Sequence, residues 1–110
     1  MHVDLSRLTP VDQMRGDDDE DTALLKGMYE EAASYLRGFK WCRRIAEAYF
    51  GLGIGGVVAV FLFRIEGPPE VDQWLWVVVG DLPPAYLVTD DAPTPAVALE
   101  VYCSLMADWV

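Results

Sequence analysis

The sequence predicts an α+β domain. It reads as an antiparallel meander of three or four strands flanked by an N-terminal and a C-terminal helix, in the order α-β-β-β-β-α. Three observations carry this prediction. Apolar residues recur at helical spacing near both ends of the chain. The middle holds β-branched and aromatic runs broken by glycine and proline. The breaks are shorter than the crossover of about a dozen residues that parallel strands require.

Each element has its own justification. Leu24, Leu25, Met28, Ala32, Tyr35, Leu36 and Phe39 fall at helical spacing, with Lys26, Glu30, Glu31 and Arg37 mainly on the other side. This predicts a helix over 22–37, capped by Asp21 or Thr22 and stopped at Gly38. Acids just before it favour a helix N-terminus by about 0.3–1 kcal/mol per well-placed site. Residues 40–50 fit two patterns. Cys42, Ile45, Ala46 and Tyr49 make a helical stripe, whereas Trp41, Ile45 and Tyr49 share parity in a strand. The glycine-rich turn that follows favours a strand from about Arg44.

Val57 to Ile65 is a strand with two apolar faces, ended by Gly67-Pro68-Pro69. Gln73 to Val79 is the next, with Trp74, Trp76 and Val78 on one face and Leu75, Val77 and Val79 on the other. Pro83 and Pro84 donate no ladder hydrogen bond and force a turn. Ala85 to Thr89 is a short strand. Thr94 is a good N-cap and Pro95 suits the first helical position, so a second helix runs from about 95 to the end. Its apolar stripe is Val97, Ala98, Val101, Tyr102, Leu105 and Trp109.

The chain of 110 residues is long enough for one domain and too short for two. Residues 1–21 read as an acidic, weakly ordered N-terminal segment, because Asp17 to Asp21 are consecutive like charges. Residues 22–110 read as a single α+β domain. Eighteen acids against 8 bases leave a net charge of -10. That disfavours nucleic acid, whose phosphates need clustered Lys and Arg, and anionic membrane surfaces. It favours a basic protein partner. Ala48 to Phe63 carries no charge, but it is shorter than the ~18–20 residues of a spanning helix and is rich in glycine. Residues 1–20 hold no apolar signal-peptide core, so a cytoplasmic location is expected, with Cys42 and Cys103 reduced and both buried.

Motifs for chemistry are sparse. Gly51-Leu52-Gly53-Ile54-Gly55-Gly56 matches G-x-G-x-x-G, but a strand follows where a phosphate-binding loop needs a helix. A glycine hairpin is the expectation. The one histidine is His2, so no Ser–His or Cys–His pair is available in the domain. Two cysteines far apart make no zinc site. The sequence therefore predicts no catalytic residue, no metal and no cofactor.

Two features point to binding instead. Trp74 to Val88 places aromatic residues around a stiff double-proline turn, and Trp and Tyr are enriched at binding hot spots. Trp74, Asp81, Tyr86, Asp90 and Asp91 are the candidate partner-binding residues. In addition, two helices side by side would cover one sheet face and leave the other apolar face for the N-terminal segment, a second copy or a partner. The competing arrangement puts the helices on opposite faces.

Trp41-Cys42, the glycines before Val57, VFLFRI at 60–65 and WLWVVVGDLPPAYL at 74–87, closed by a helix ending in Asp108-Trp109-Val110, carry a likeness. Over about residues 35–110 the chain resembles a family of small bacterial proteins of uncharacterised function. Its size and acidity are similar, by analogy of type, to immunity proteins of bacterial toxin systems. The expectation is a protein-binding domain that neutralises a basic effector, such as a toxin. The alternatives are a module that forms a homodimer through a sheet face, and a small-molecule binder in a cleft lined by Trp74, Trp76 and Tyr86.

Overall fold

A computed structural model describes residues 5, 8–16, 18–54, 57–70, 73–81, 83–89 and 92–107. Five antiparallel strands lie side by side in chain order: β1 Thr9–Pro10, β2 Arg44–Ile54, β3 Val58–Glu66, β4 Trp74–Gly80 and β5 Ala85–Val88. Helix α1, Asp19–Arg37, precedes β2, and helix α2, Pro95–Ala107, follows β5. This is the expected α+β meander with one strand added at its β2 edge.

Helix α1 begins three residues earlier than its apolar stripe predicts. Asp18 is the N-cap, and its carboxylate accepts a hydrogen bond from the Asp21 N–H at 2.8 Å. Thr22 Oγ1 donates to the Asp18 carbonyl and accepts from the Gly16 N–H, both at 2.9 Å. The cap is therefore Asp18, not Asp21 or Thr22. Asp19, Glu20 and Asp21 fill the first turn, where the helix dipole favours negative charge.

The two helices sit on opposite faces of the sheet. Phe61, Phe63 and Ile65 of β3, with Leu75, Val77 and Val79 of β4, pack against Met28, Ala32, Ala33 and Leu36 of α1. Val60 and Leu62, with Trp76 and Val78, pack against Ala98, Tyr102 and Met106 of α2. Trp76 Nε1 donates to the Ala92 carbonyl at 2.5 Å, tying the chain between β5 and α2 beneath that helix. The expectation of one apolar face left open is thus corrected. The chain after β5 reaches the second face, so each helix covers one.

Strand β2 explains why residues 40–50 resist a simple pattern. Its register against β3 shifts between Ile45 and Glu47 and again between Phe50 and Leu52. Each shift inserts one extra residue, Ala46 and then Gly51, and flips the side chains that follow to the other face. Ile45 consequently packs on the α1 side and Tyr49 on the α2 side, although they share parity. At the second bulge a Cβ on Gly51 would lie 2.8 Å from Pro95 Cβ and 3.0 Å from the Val60 carbonyl. Gly51 is bare because α2 starts directly above it. The G-x-G-x-x-G motif is accordingly strand over Gly51 to Ile54, and Gly55 and Gly56 lie outside the described residues. Gly51 and Gly53 lie in β2, and the Val57 N–H donates to the Ile54 carbonyl at 2.7 Å across the turn.

Residues 8–14 contribute to both cores. Leu8 is buried on the α2 side. Thr9 and Pro10 then pair with Phe50 and Tyr49 along the edge of β2. A 3-10 turn at Val11–Gln13 leads to Met14, which is fully buried on the α1 side. This strap crosses the sheet edge with one apolar plug on each face. A boundary at residue 21 therefore cuts through a helix and leaves core residues in the part called a tail.

The cysteines also divide. Cys42 is buried on the α1 side, where burial pushes its thiol pKa up. Cys103 is exposed on α2, against the expectation that both are buried, and both thiols are free. Among the described residues no helix is long and apolar enough to cross a membrane, and the described part of the uncharged stretch Ala48 to Phe63 lies in β2, in β3 and at Val57 before β3.

The strap gives a direct test. Met14→Ala should lower the unfolding free energy by about 2–5 kcal/mol, as for a core methionine. A residue in a solvated tail would change it by about 0.5 kcal/mol or less in urea unfolding.

Candidate protein-interaction surface

Helix α1 crosses its sheet face diagonally. Near its start, Leu25 lies against Gly53 of β2. In its middle, the Tyr29 ring stands 6.0 Å from the rings of both Phe61 and Phe63. Its last turn reaches β5, where Tyr35 meets Tyr86 at 6.4 Å. Beyond the helix the chain folds back in tight turns. The Phe39 N–H donates to the Leu36 carbonyl and the Cys42 N–H to the Phe39 carbonyl, both at 3.1 Å. Buried Cys42 anchors this turn, and the rings of Phe39 and Trp41 project over β5.

The result is a cluster of four rings: Tyr35, Phe39, Trp41 and Tyr86. Phe39 stacks on Trp41 at 4.7 Å, and Tyr86 meets each of them at 5.3 Å, nearly edge-on. Such pairs add about 0.5–1.5 kcal/mol each beyond simple burial. Tyr35, Phe39 and Trp41 are half-buried, while Tyr86 keeps 38% of its surface exposed. Burial pushes the Tyr35 hydroxyl pKa up; the Tyr86 side chain adds to that shift and the Tyr86 backbone opposes it.

Charge is polarised along α1. Exposed acids Asp18, Asp19 and Glu20 stand at its start and Glu30 and Glu31 in its middle. Four of the 8 bases lie within residues 37–44, around the aromatic cluster. Arg44 pairs with Glu66 at 2.6 Å. Arg37, Lys40 and Arg43 are exposed, and no ion pair among the described residues engages them.

The five sequence-predicted residues do not form one site. Tyr86 lies on the α1 side of the sheet, opposite Val77. Trp74 lies on the α2 side, near Tyr49 at 6.4 Å. Asp81 is exposed at the end of β4, where its N–H donates to the Val57 carbonyl at 3.1 Å. Asp90 and Asp91 lie outside the described residues. A cleft lined by Trp74, Trp76 and Tyr86 is also ruled out, because Trp76 is fully buried and Tyr86 is on the other face. The turn before β5 is braced as expected of a stiff loop, with the Tyr102 hydroxyl donating to the Pro83 carbonyl at 2.9 Å.

The sequence reading placed Tyr35 and Phe39 only in a helical stripe and missed their place in this cluster. The available signal was Tyr35, Phe39 and Trp41 interleaved with Arg37, Lys40, Arg43 and Arg44. Their convergence with Tyr86 needs the tertiary fold.

The α2 side carries a smaller polar cluster beyond the end of the helix. Arg64 Nε donates to Glu47 Oε2, and the Tyr49 hydroxyl donates to Glu47 Oε1 at 2.6 Å. Trp74 sits across from Arg64 in the β3–β4 ladder. The Tyr49 hydrogen bond, with Arg64 second, holds the Glu47 carboxyl below its ordinary pKa. Among the described residues no group of three or more His, Cys, Asp or Glu is placed to hold a metal.

Comparison with known proteins adds no relative: no family model, no curated protein and no solved structure matches the chain.

The Glu47 cluster predicts a pH effect. A carboxyl held low in the folded state stabilises the fold above its unfolded pKa and loses that contribution as pH falls through the folded value. Wild type should therefore lose a small stability advantage over Glu47→Gln below about pH 4.5. The loss should be about 0.2–1 kcal/mol, because the pair is about one-third exposed. Urea unfolding of both proteins between neutral and acid pH checks it.

Proposed function

We propose that this protein is a non-catalytic binding domain that engages another protein through the aromatic surface at Tyr86. The carrying observation is that cluster: four rings, with Tyr86 on the outer strand β5 open to solvent. Aromatic anchors of this kind dominate binding energy at protein interfaces, whereas scattered exposed apolar residues do not. Braced turns on both sides support the reading, since a preordered surface loses less entropy on binding.

The net charge of -10 and the acids of α1 give the partner's general character. They would speed association with a basic protein and weaken that advantage as salt rises. A cytoplasmic protein that neutralises a basic effector, in the manner of an immunity protein or antitoxin, fits these properties. Within this reading Tyr86, Phe39 and Trp41 are the anchor. Asp81 and Trp74 stand apart from it.

Capture from an extract of the native host at low salt should recover one dominant basic protein. Tyr86→Ala should abolish or strongly weaken the capture, by about tenfold or more in affinity, while far-ultraviolet circular dichroism stays unchanged. Recovery of nothing with the protein in excess, or capture indifferent to Tyr86→Ala, would overturn the proposal.

A further inference from the structure

We infer that β5 accepts an extended acidic–apolar segment of a partner protein as an added sixth strand, with the segment's apolar side chains seated on the Tyr86 cluster. The inference rests on the aromatic surface being the binding site and goes further by naming what enters it.

The edge comes first. Strand order ends at β5, so among the described residues no strand pairs with its outer side. Ala85 to Val88 ladder only with Val78 to Leu75 of β4. An outer strand of this kind presents backbone N–H and C=O groups that another extended chain can satisfy. The opposite edge of the sheet is managed differently. There β2 carries two bulges and the pairing of Thr9 and Pro10, which twist and cover it.

Side chains supply the specificity. Alternate residues of an added strand point to the same sheet face. On the α1 side they would meet Tyr86, with Phe39 and Trp41 behind it at 5.3 Å. Arg37, Lys40 and Arg43 stand exposed in the turn that carries those rings. Three exposed bases therefore stand within two positions of the Phe39 or Trp41 rings of the anchor. A segment entering it matches if it carries Asp or Glu beside its apolar residues, however basic the rest of its protein is.

Basic and aromatic residues together also suit single-stranded nucleic acid. Two arguments favour the peptide. Only a polypeptide offers the backbone partners that the β5 edge needs. A polyanion also spans many times the screening length of about 8–10 Å, and so meets the repulsion of a chain with net charge -10. A short segment with one or two acids feels mainly the nearby bases.

The test uses the full chain as bait for a display library of random peptides of about twelve residues. Enriched sequences should alternate apolar residues with Asp or Glu. Combined Arg37→Glu, Lys40→Glu and Arg43→Glu substitution should weaken the best peptide by about tenfold or more. N-methylation along that peptide should abolish binding at every second position, the signature of a ladder. Oligothymidine should bind more weakly than the peptide. Enrichment of Lys- and Arg-rich sequences, no enrichment, tighter binding of oligothymidine, or indifference to N-methylation would each overturn the inference. Indifference to N-methylation with loss of binding in Tyr86→Ala would leave the aromatic anchor standing and remove only the strand. Binding that ignores Tyr86→Ala as well would remove both.

Discussion

Strands β3 and β4 are apolar on both faces, and that constraint organises the molecule. Val60, Phe61, Leu62 and Phe63 are all fully buried, as are Trp76, Val77, Val78 and Val79. Burying one such side chain is worth roughly 1.5–3 kcal/mol, so neither face can be left to water without a large loss. One helix covers each face. The meander delivers the chain to the β5 edge after its last strand, and the connection to α2 turns under Trp76 through the hydrogen bond to Ala92. That single donor also satisfies the one polar atom of the largest buried side chain, so the second face closes without an orphaned indole.

Covering both faces moves the open chemistry to the edges. On the β2 side the bulges at Ala46 and Gly51, with the strap from Leu8 to Met14, leave little regular edge. On the β5 side the edge is four residues long and lies under a ring cluster. The surface proposed for binding is therefore an edge with an aromatic cluster above it, rather than the sheet face that the apolar count first suggests. The acids at the start of α1 stand a helix length, roughly 28 Å for 19 residues, from the bases at and after its end, with Glu30 and Glu31 between them.

Much of the fold was legible in the sequence. Strands β3 and β4 have unbroken apolar runs, and their observed ends lie within a residue of the predicted ones. The start of α2 was marked by Thr94, whose hydroxyl accepts from the Val97 N–H at 3.2 Å. Strand β2 was legible in type but not in facing, because two bulges break its period. The strap was legible only as apolar residues able to dock locally, Leu5, Leu8, Val11 and Met14, because a two-residue strand has no pattern of its own. Of the candidate site only Tyr86 was legible, since its turn chemistry and aromatic character are local.

The sequence by itself determined the elements, their antiparallel order and the demand that both faces of the central strands be covered. These follow from periodicity, from turn residues and from short connections, all of which act over a few positions. The tertiary structure alone decided that the helices take opposite faces, that the N-terminal segment plugs both cores, and that Trp74 and Tyr86 are separated by the sheet. It also brought Tyr35, Phe39 and Trp41 to Tyr86 across about half the chain. The physical reason is that a helix can bury one apolar stripe against either face, and only the packing of the whole chain selects which.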